Sequence, residues 1–149
     1  FEEDDGAPNG SSIAFLLEAE GRVALLLGDA HPGVLVANID RLLARRGLAR
    51  LAVDLVKLPH HGSGNNLNRE LVARIAADRW LFSSDGTFFG HPDPEAVARV
   101  VTGKQDRPLL AFNYRTRRTV VWDDERLQRE HRYRTQYPEA GAAGVCVAV

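Results

Sequence analysis

The sequence predicts an α/β fold, a mixed sheet with helices packed against it. Two patterns carry this, and their order carries the rest. Short apolar runs recur at 12–18, 22–27, 51–58 and 79–84, each of strand length and dense enough for a buried strand. Between and after them, apolar residues return every three to four positions: Val34, Leu35, Ile39, Leu42 and Leu43, then Leu71, Val72 and Ile75, then Val97, Val100 and Val101. That is the spacing of an amphipathic helix. The resulting order, β-β-α-β-α-β-α, is that of a sheet with helices laid on it.

Taken in order, residues 1–10 are acidic and turn-rich and read as a loop or frayed end. The runs 12–18 and 22–27 join through Ala19, Glu20 and Gly21 as a β-hairpin. Their continuous apolarity predicts a sheet covered on both faces. Pro32 suits the first turn of a helix that runs to Arg46, with Gly47 as its C-cap. The strand at 51–58 stops at Pro59, which has no N–H to offer the ladder. Asn66 or Asn68 caps a helix over 69–77, and a buried strand follows at 79–84. Asp93 caps a helix that starts at Pro94, carries Glu95 in its first turn and ends at Gly103. Four later segments, 108–114, 116–122, 132–137 and 144–149, read as strands, the first two as a hairpin through Arg115 and Thr116. Asp123 and Asp124 start a short helical turn between them. The alternation at 131–137 fits an edge strand. The chain is therefore one domain over 1–149, with a β-rich extension at 104–149.

A chain of 149 residues with 44% hydrophobic and 26% charged residues can bury a real core. A formal charge of −1 gives no case for nucleic acid as a bulk polyanionic partner, although Arg115, Arg117 and Arg118 form a local basic patch. The single cysteine, Cys146, rules out an internal disulfide framework and suits a reducing, cytoplasmic compartment. Its apolar neighbours at 144–149 read as a buried thiol. No run is long enough to span a membrane. The opening Phe1 and the lack of methionine read as an internal start, with more chain upstream.

The functional signal lies at strand ends. The run Val53, Leu55, Val56 and Leu58 leads straight into Pro59, His60, His61, Gly62 and Ser63. A second strand stops on Gly28 and Asp29, and further on come Ser83-Ser84-Asp85-Gly86 and Gly90-His91-Pro92. In open α/β sheets, the ends of strands hold side chains rigidly over an open edge. This succession, over roughly residues 9–102, resembles the C-terminal half of a metallo-β-lactamase-fold hydrolase, in its ComEC-like branch. That superfamily's first metal motif, His-x-His-x-Asp-His, is absent from this sequence.

The resemblance implies an αββα architecture of which this chain is one half, and a dinuclear zinc site whose bound hydroxide attacks an ester or phosphodiester. In it Asp29 is the bridging metal ligand and one of the histidine pair binds the second metal. His60, first after the strand with the Ser63 hydroxyl three residues on, is the preferred ligand. Neighbouring side chains diverge in extended backbone, so His61 then faces substrate or supports a ligand. Lys57 stabilises developing negative charge, and Ser63 lies on the substrate side. His91, ahead of a helix start, either touches a substrate phosphate or fixes its loop. His31 belongs to a helix N-terminus and His131 to the surface. Asn9, Ser11 and Ser12 sit where the family opens a strand with Asn and a Ser pair, or are solvated loop.

Two ligands bind zinc weakly, so little or no zinc is expected on this chain alone. The implied partner is the missing N-terminal half, on the same polypeptide or a separate chain. The substrate is a phosphoester or another small molecule, and a homo-oligomer is possible. The competing readings are a catalytically inactive binding or scaffold module, and a clipped enzyme whose halves stay together. A half-fold would expose the apolar face that its other half covers.

Overall fold

The computed structural model describes residues 1–148 of the chain. Its elements are a short helix α1 (Ala7–Gly10), β1 (Phe15–Ala19), β2 (Arg22–Leu26), α2 (Pro32–Arg46), β3 (Leu51–Lys57), α3 (Arg69–Arg74), β4 (Ile75–Phe82), α4 (Pro94–Val101), β5 (Leu109–Phe112), α5 (Glu125–His131) and β6 (Arg134–Gln136). They form one six-stranded sheet in the order β1-β2-β3-β4-β5-β6. The β1–β2 pair is the expected antiparallel hairpin, and every later pair is parallel. This is an α/β fold with a mixed sheet.

The sequential order decides where the helices go. Each parallel crossover steps one strand in the same direction, and crossovers of one hand then stack their helices on a single face. Burial agrees. Leu25, Val56, Trp80 and Leu110 are partners across the strands, and they are buried in one core with Leu35 and Ile39 of α2, Leu71 and Val72 of α3, and Val97 and Val100 of α4. Phe82 stacks on Phe112, and Phe112 on Tyr137. Gly47 closes α2 in the left-handed region, and Asn68 caps α3 by accepting from Leu71 N–H.

Among the described residues, the opposite face carries no helix. Paired residues share a face, so Phe15, Leu17, Ala24, Leu26, Leu55, Lys57, Arg79 and Leu81 point the same way. Phe15 and Leu17 are 51% and 52% exposed, and Leu26, Leu55 and Leu81 are only partly buried. The expectation of a sheet covered on both faces is thus corrected: one-way winding leaves no crossover to cover this side.

Several boundaries differ from the sequence reading. The helix expected over 69–77 stops at Arg74, because Ile75 pairs with Leu51 and opens β4. The strand expected at 116–122 is a turn followed by a single 3-10 turn, Val120–Asp123. There the Thr119 hydroxyl donates to Tyr114 C=O and accepts from Thr116 N–H, a local alternative to sheet pairing. No hairpin forms through Arg115 and Thr116. Residues 144–148 are irregular and Val149 lies outside the described residues, so the strand expected at 144–149 is absent from 144–148. The part after 104 extends the sheet: β5, α5 and β6 continue the α/β winding, with β6 at the sheet edge as expected. Cys146 is exposed, not buried. Asp93 stands before α4 but leaves its amides uncapped, and its Oδ2 accepts from Gly64 N–H at 2.7 Å instead. Residues 1–10 are mostly exposed but are tied to the body by hydrogen bonds. Glu3 accepts from Gly33 N–H at the start of α2, and Asp4 N–H donates to Asn65 C=O. No helix among the described residues is long and apolar enough to cross a membrane.

The two faces should differ in stability. Truncating the fully buried Phe82 to Ala is expected to cost about 3–5 kcal/mol, whereas Leu17→Thr on the bare face should cost about 0.5 kcal/mol or less. Urea unfolding of both variants measures this. An equal cost for Leu17→Thr would mean that the face is covered in solution.

Candidate functional site

Because β2, β3 and β4 run parallel, their C-terminal ends meet along one edge. Three loops leave that edge side by side: Gly28 and Asp29 after β2, Pro59 to Gly62 after β3, and Ser83 to Asp85 after β4. Asp29, His60 and His61 line a cleft of about 400 Å3 together with Ser83, Ser84 and Asp85. Phe88, Phe89 and Tyr114 complete its lining. The two phenylalanines are 91% and 81% exposed.

The histidine turn is held from several sides. His60 N–H donates to Gly28 C=O at 2.9 Å, Ser63 N–H to His60 C=O at 2.9 Å, and Asp93 N–H to Gly62 C=O at 2.9 Å. Gly28 has a φ of +55°, and a Cβ there would lie 2.9 Å from the Ile13 carbonyl oxygen. Gly62 has a φ of +92°, and its Cβ would meet Pro92 at 2.9 Å and the Phe82 ring at 3.1 Å. Both positions therefore require glycine. The expectation that His60 and His61 lie in extended backbone is corrected. Both are left-handed, with φ of 41° and 56°, a conformation that stores roughly 1–3 kcal/mol per non-glycine residue and persists only where the surroundings enforce it. Their rings still diverge, at 6.4 Å between centroids.

The Nδ1 atom of each histidine is engaged. His60 Nδ1 lies 3.0 Å from Asn66 Oδ1, and His61 Nδ1 lies 2.9 Å from the Ser83 hydroxyl. Burial, then the Lys57 charge, push the His61 pKa down, which keeps the ring neutral around pH 7. Burial also lowers the Lys57 pKa, against the opposing pull of Asp29. Lys57 Nζ donates to Leu58 C=O at 2.8 Å.

The other expected site residues stand further back. Ser63 is 5% exposed. Its hydroxyl accepts from Asn65 N–H at 3.2 Å, so it shapes the turn and does not line the cleft. His91 packs behind His60, at 5.4 Å between ring centroids, and stacks on Phe89. Its Nδ1 is 3.3 Å from Asp93 Oδ1, yet is buried without a hydrogen bond, because the contact is out of line. This geometry favours the loop-fixing role for His91. His31 heads α2, with Nε2 3.0 Å from Gly6 C=O, and His131 is at the surface.

Asp4 was not legible as a site residue. It lies in an acidic opening stretch that resembles any solvated terminus. Its Oδ2 accepts from Asn66 Nδ2 and Asn9 Nδ2, each at 2.7 Å, and stands 3.5 Å from His60 Nδ1. Asn9 Nδ2 is itself 3.4 Å from that nitrogen, so Asn9 belongs to the site surroundings. Burial alone would raise the Asp4 pKa, but hydrogen bonds from Asn66, Gly6 N–H and Asn9, with the charge of His31, hold it down to about 2.

A zinc centre needs several nitrogen and oxygen ligands around one point. Among the described residues no group of three or more His, Cys, Asp or Glu side chains is disposed to hold an ion. Asp29 and the histidine pair line the same cleft but do not complete a set.

Since the folded pKa of Asp4 lies below its usual value of 3.8, its ionised form stabilises the fold above about pH 4, and that stabilisation is lost as pH falls through about 2. The stability gap between wild type and Asp4→Asn should therefore hold from about pH 5 to 4 and shrink between 4 and 2. Denaturant unfolding across that range measures it, and a gap that does not change with pH would contradict it.

Comparison of the chain with family models, with curated proteins and with solved structures finds no match.

Proposed function

We propose that this chain is the C-terminal half of a zinc-dependent hydrolase of the metallo-β-lactamase fold, acting on a phosphoester. The observation that carries the reading is that Asp29, His60 and His61 line one cleft at the C-terminal edge of the sheet. Asp29 and His60 are this chain's contribution to the metal. His61, neutral with its Nδ1 held by Ser83, offers Nε2 as a proton acceptor or donor toward substrate. Lys57 brings positive charge to the same edge, suited to an anionic group. The ligand set is incomplete in this chain, so the remaining ligands belong to a preceding half. The bare sheet face with Phe15, Leu17, Leu26, Leu55 and Leu81 supports such a partner. A phosphoester is the substrate class, through the resemblance of the strand-end motifs.

The incomplete set also favours a second reading, a catalytically inactive binding or scaffold module that keeps the turn sequences without the chemistry. In that case the cleft binds without turnover.

Elemental analysis separates the two. Zinc is measured on this chain and on the chain together with the polypeptide encoded directly upstream of Phe1, each with and without His60→Ala. The hydrolase reading expects close to two zinc ions on the longer chain, a clear loss in the variant, and hydrolysis of a phosphodiester such as bis-(p-nitrophenyl) phosphate. Absence of metal from both leaves only the scaffold.

A further inference from the structure

We infer that Asp4 and Asn66 are positioning residues that fix His60 in the tautomer protonated on Nδ1, leaving the Nε2 lone pair free. The argument is one of donors and acceptors. Asn66 Nδ2 lies 2.7 Å from Asp4 Oδ2 and 3.3 Å from the Asp29 carbonyl oxygen. An ionised carboxylate and a carbonyl are acceptors only, so the atom facing both must be the amide nitrogen. That fixes the flip of the Asn66 side chain and turns its Oδ1 toward His60 Nδ1 at 3.0 Å. An oxygen there only accepts, so His60 Nδ1 must carry the proton. The reverse flip would set amide oxygen against carboxylate. Asn66 is fully buried, where such a clash has no water to relieve it.

Asn9 Nδ2 also donates to Asp4 Oδ2, at 2.7 Å, so Asp4 holds two amides at once. The same Asn9 nitrogen stands 3.4 Å from His60 Nδ1, a longer contact than the 3.0 Å to Asn66 Oδ1, so the shorter contact decides the tautomer. Asp4 itself is 3.5 Å from His60 Nδ1, too far for a good hydrogen bond; it acts through Asn66. A histidine whose Nδ1–H is held from behind presents a basic, oriented Nε2. The value of that arrangement as a metal ligand rests on the proposed hydrolase reading, but the tautomer itself does not.

Long-range proton–nitrogen correlation spectra of the metal-free chain at about pH 8, where an ordinary histidine is neutral, read the tautomer directly. The wild type should show His60 with a protonated Nδ1 and an unprotonated Nε2. In Asp4→Ala and Asn66→Ala the two nitrogen shifts should move toward each other as the tautomers mix. His61, held separately by Ser83, should keep its pattern and serves as the internal control. A wild-type His60 protonated on Nε2 overturns the inference without any variant. So does a His60 pattern that both substitutions leave unchanged. No turnover is measured, so a failed hydrolase assay and a failed tautomer assignment remain separate results.

Discussion

Most of this molecule follows from one constraint: after the first hairpin, each strand is added parallel to its predecessor and always on the same side. Parallel pairing puts the C-terminal ends of β2, β3 and β4 on one edge, where Asp29, His60, His61 and Ser83 become neighbours despite their separation in sequence. Crossovers of one hand put α2, α3 and α4 on one face, where Trp80, Phe82 and Phe112 build the core. The same constraint denies cover to the other face. Core, cleft and bare face are three consequences of one winding rule.

The cleft is held by force as much as by fit. Two successive left-handed histidines are unfavourable by a few kcal/mol in isolation. They persist because Gly28 C=O anchors the His60 amide, Gly62 C=O anchors Asp93, and Pro92 and the Phe82 ring close on Gly62. The strain therefore rests on the same buried Phe82 that supports the core. Asp4 adds a further restraint from the first residues of the chain, which fold back over the turn. Hydrogen bonds from two buried or half-buried amides make a carboxylate worth keeping ionised in a spot where burial alone would disfavour it.

The elements with strong periodicity were legible in the sequence. Residues 32–46 appear as a helix because Leu35, Ile39 and Leu43 fall on one stripe between Pro32 and Gly47. Residues 51–57 appear as a strand because apolar residues fill it up to Pro59. Ile75 was misassigned because its spacing from Leu71 and Val72 suits a helix equally well; its pairing with Leu51 is a tertiary fact that no local pattern contains. Thr119 and Val120 have strand composition, but a hydroxyl bonded to the local backbone overrode it. At the site, strand-end motifs marked Asp29, His60 and His61. The turn of the Ser63 hydroxyl toward Asn65 N–H was not legible, because distance from His60 in sequence says nothing about which way a hydroxyl turns. Asp4 was invisible because its role depends on Asn66, 62 residues away.

Lys57 ties the bare face to the cleft. In the register it stands between Leu26 and Leu81, so its stem belongs to the uncovered apolar face. Its ammonium is nevertheless stabilised by Asp29 and in turn disfavours a charge on His61, both in the cleft lining. Any body that covers the face must also enclose this lysine. Covering removes water from a cation whose pKa burial already lowers and Asp29 raises, so a covering body pushes it further down. Negative charge brought to this edge of the sheet, beside Asp29, offsets that push. In the hydrolase reading, that offset favours an acidic or anion-bearing surface opposite Lys57.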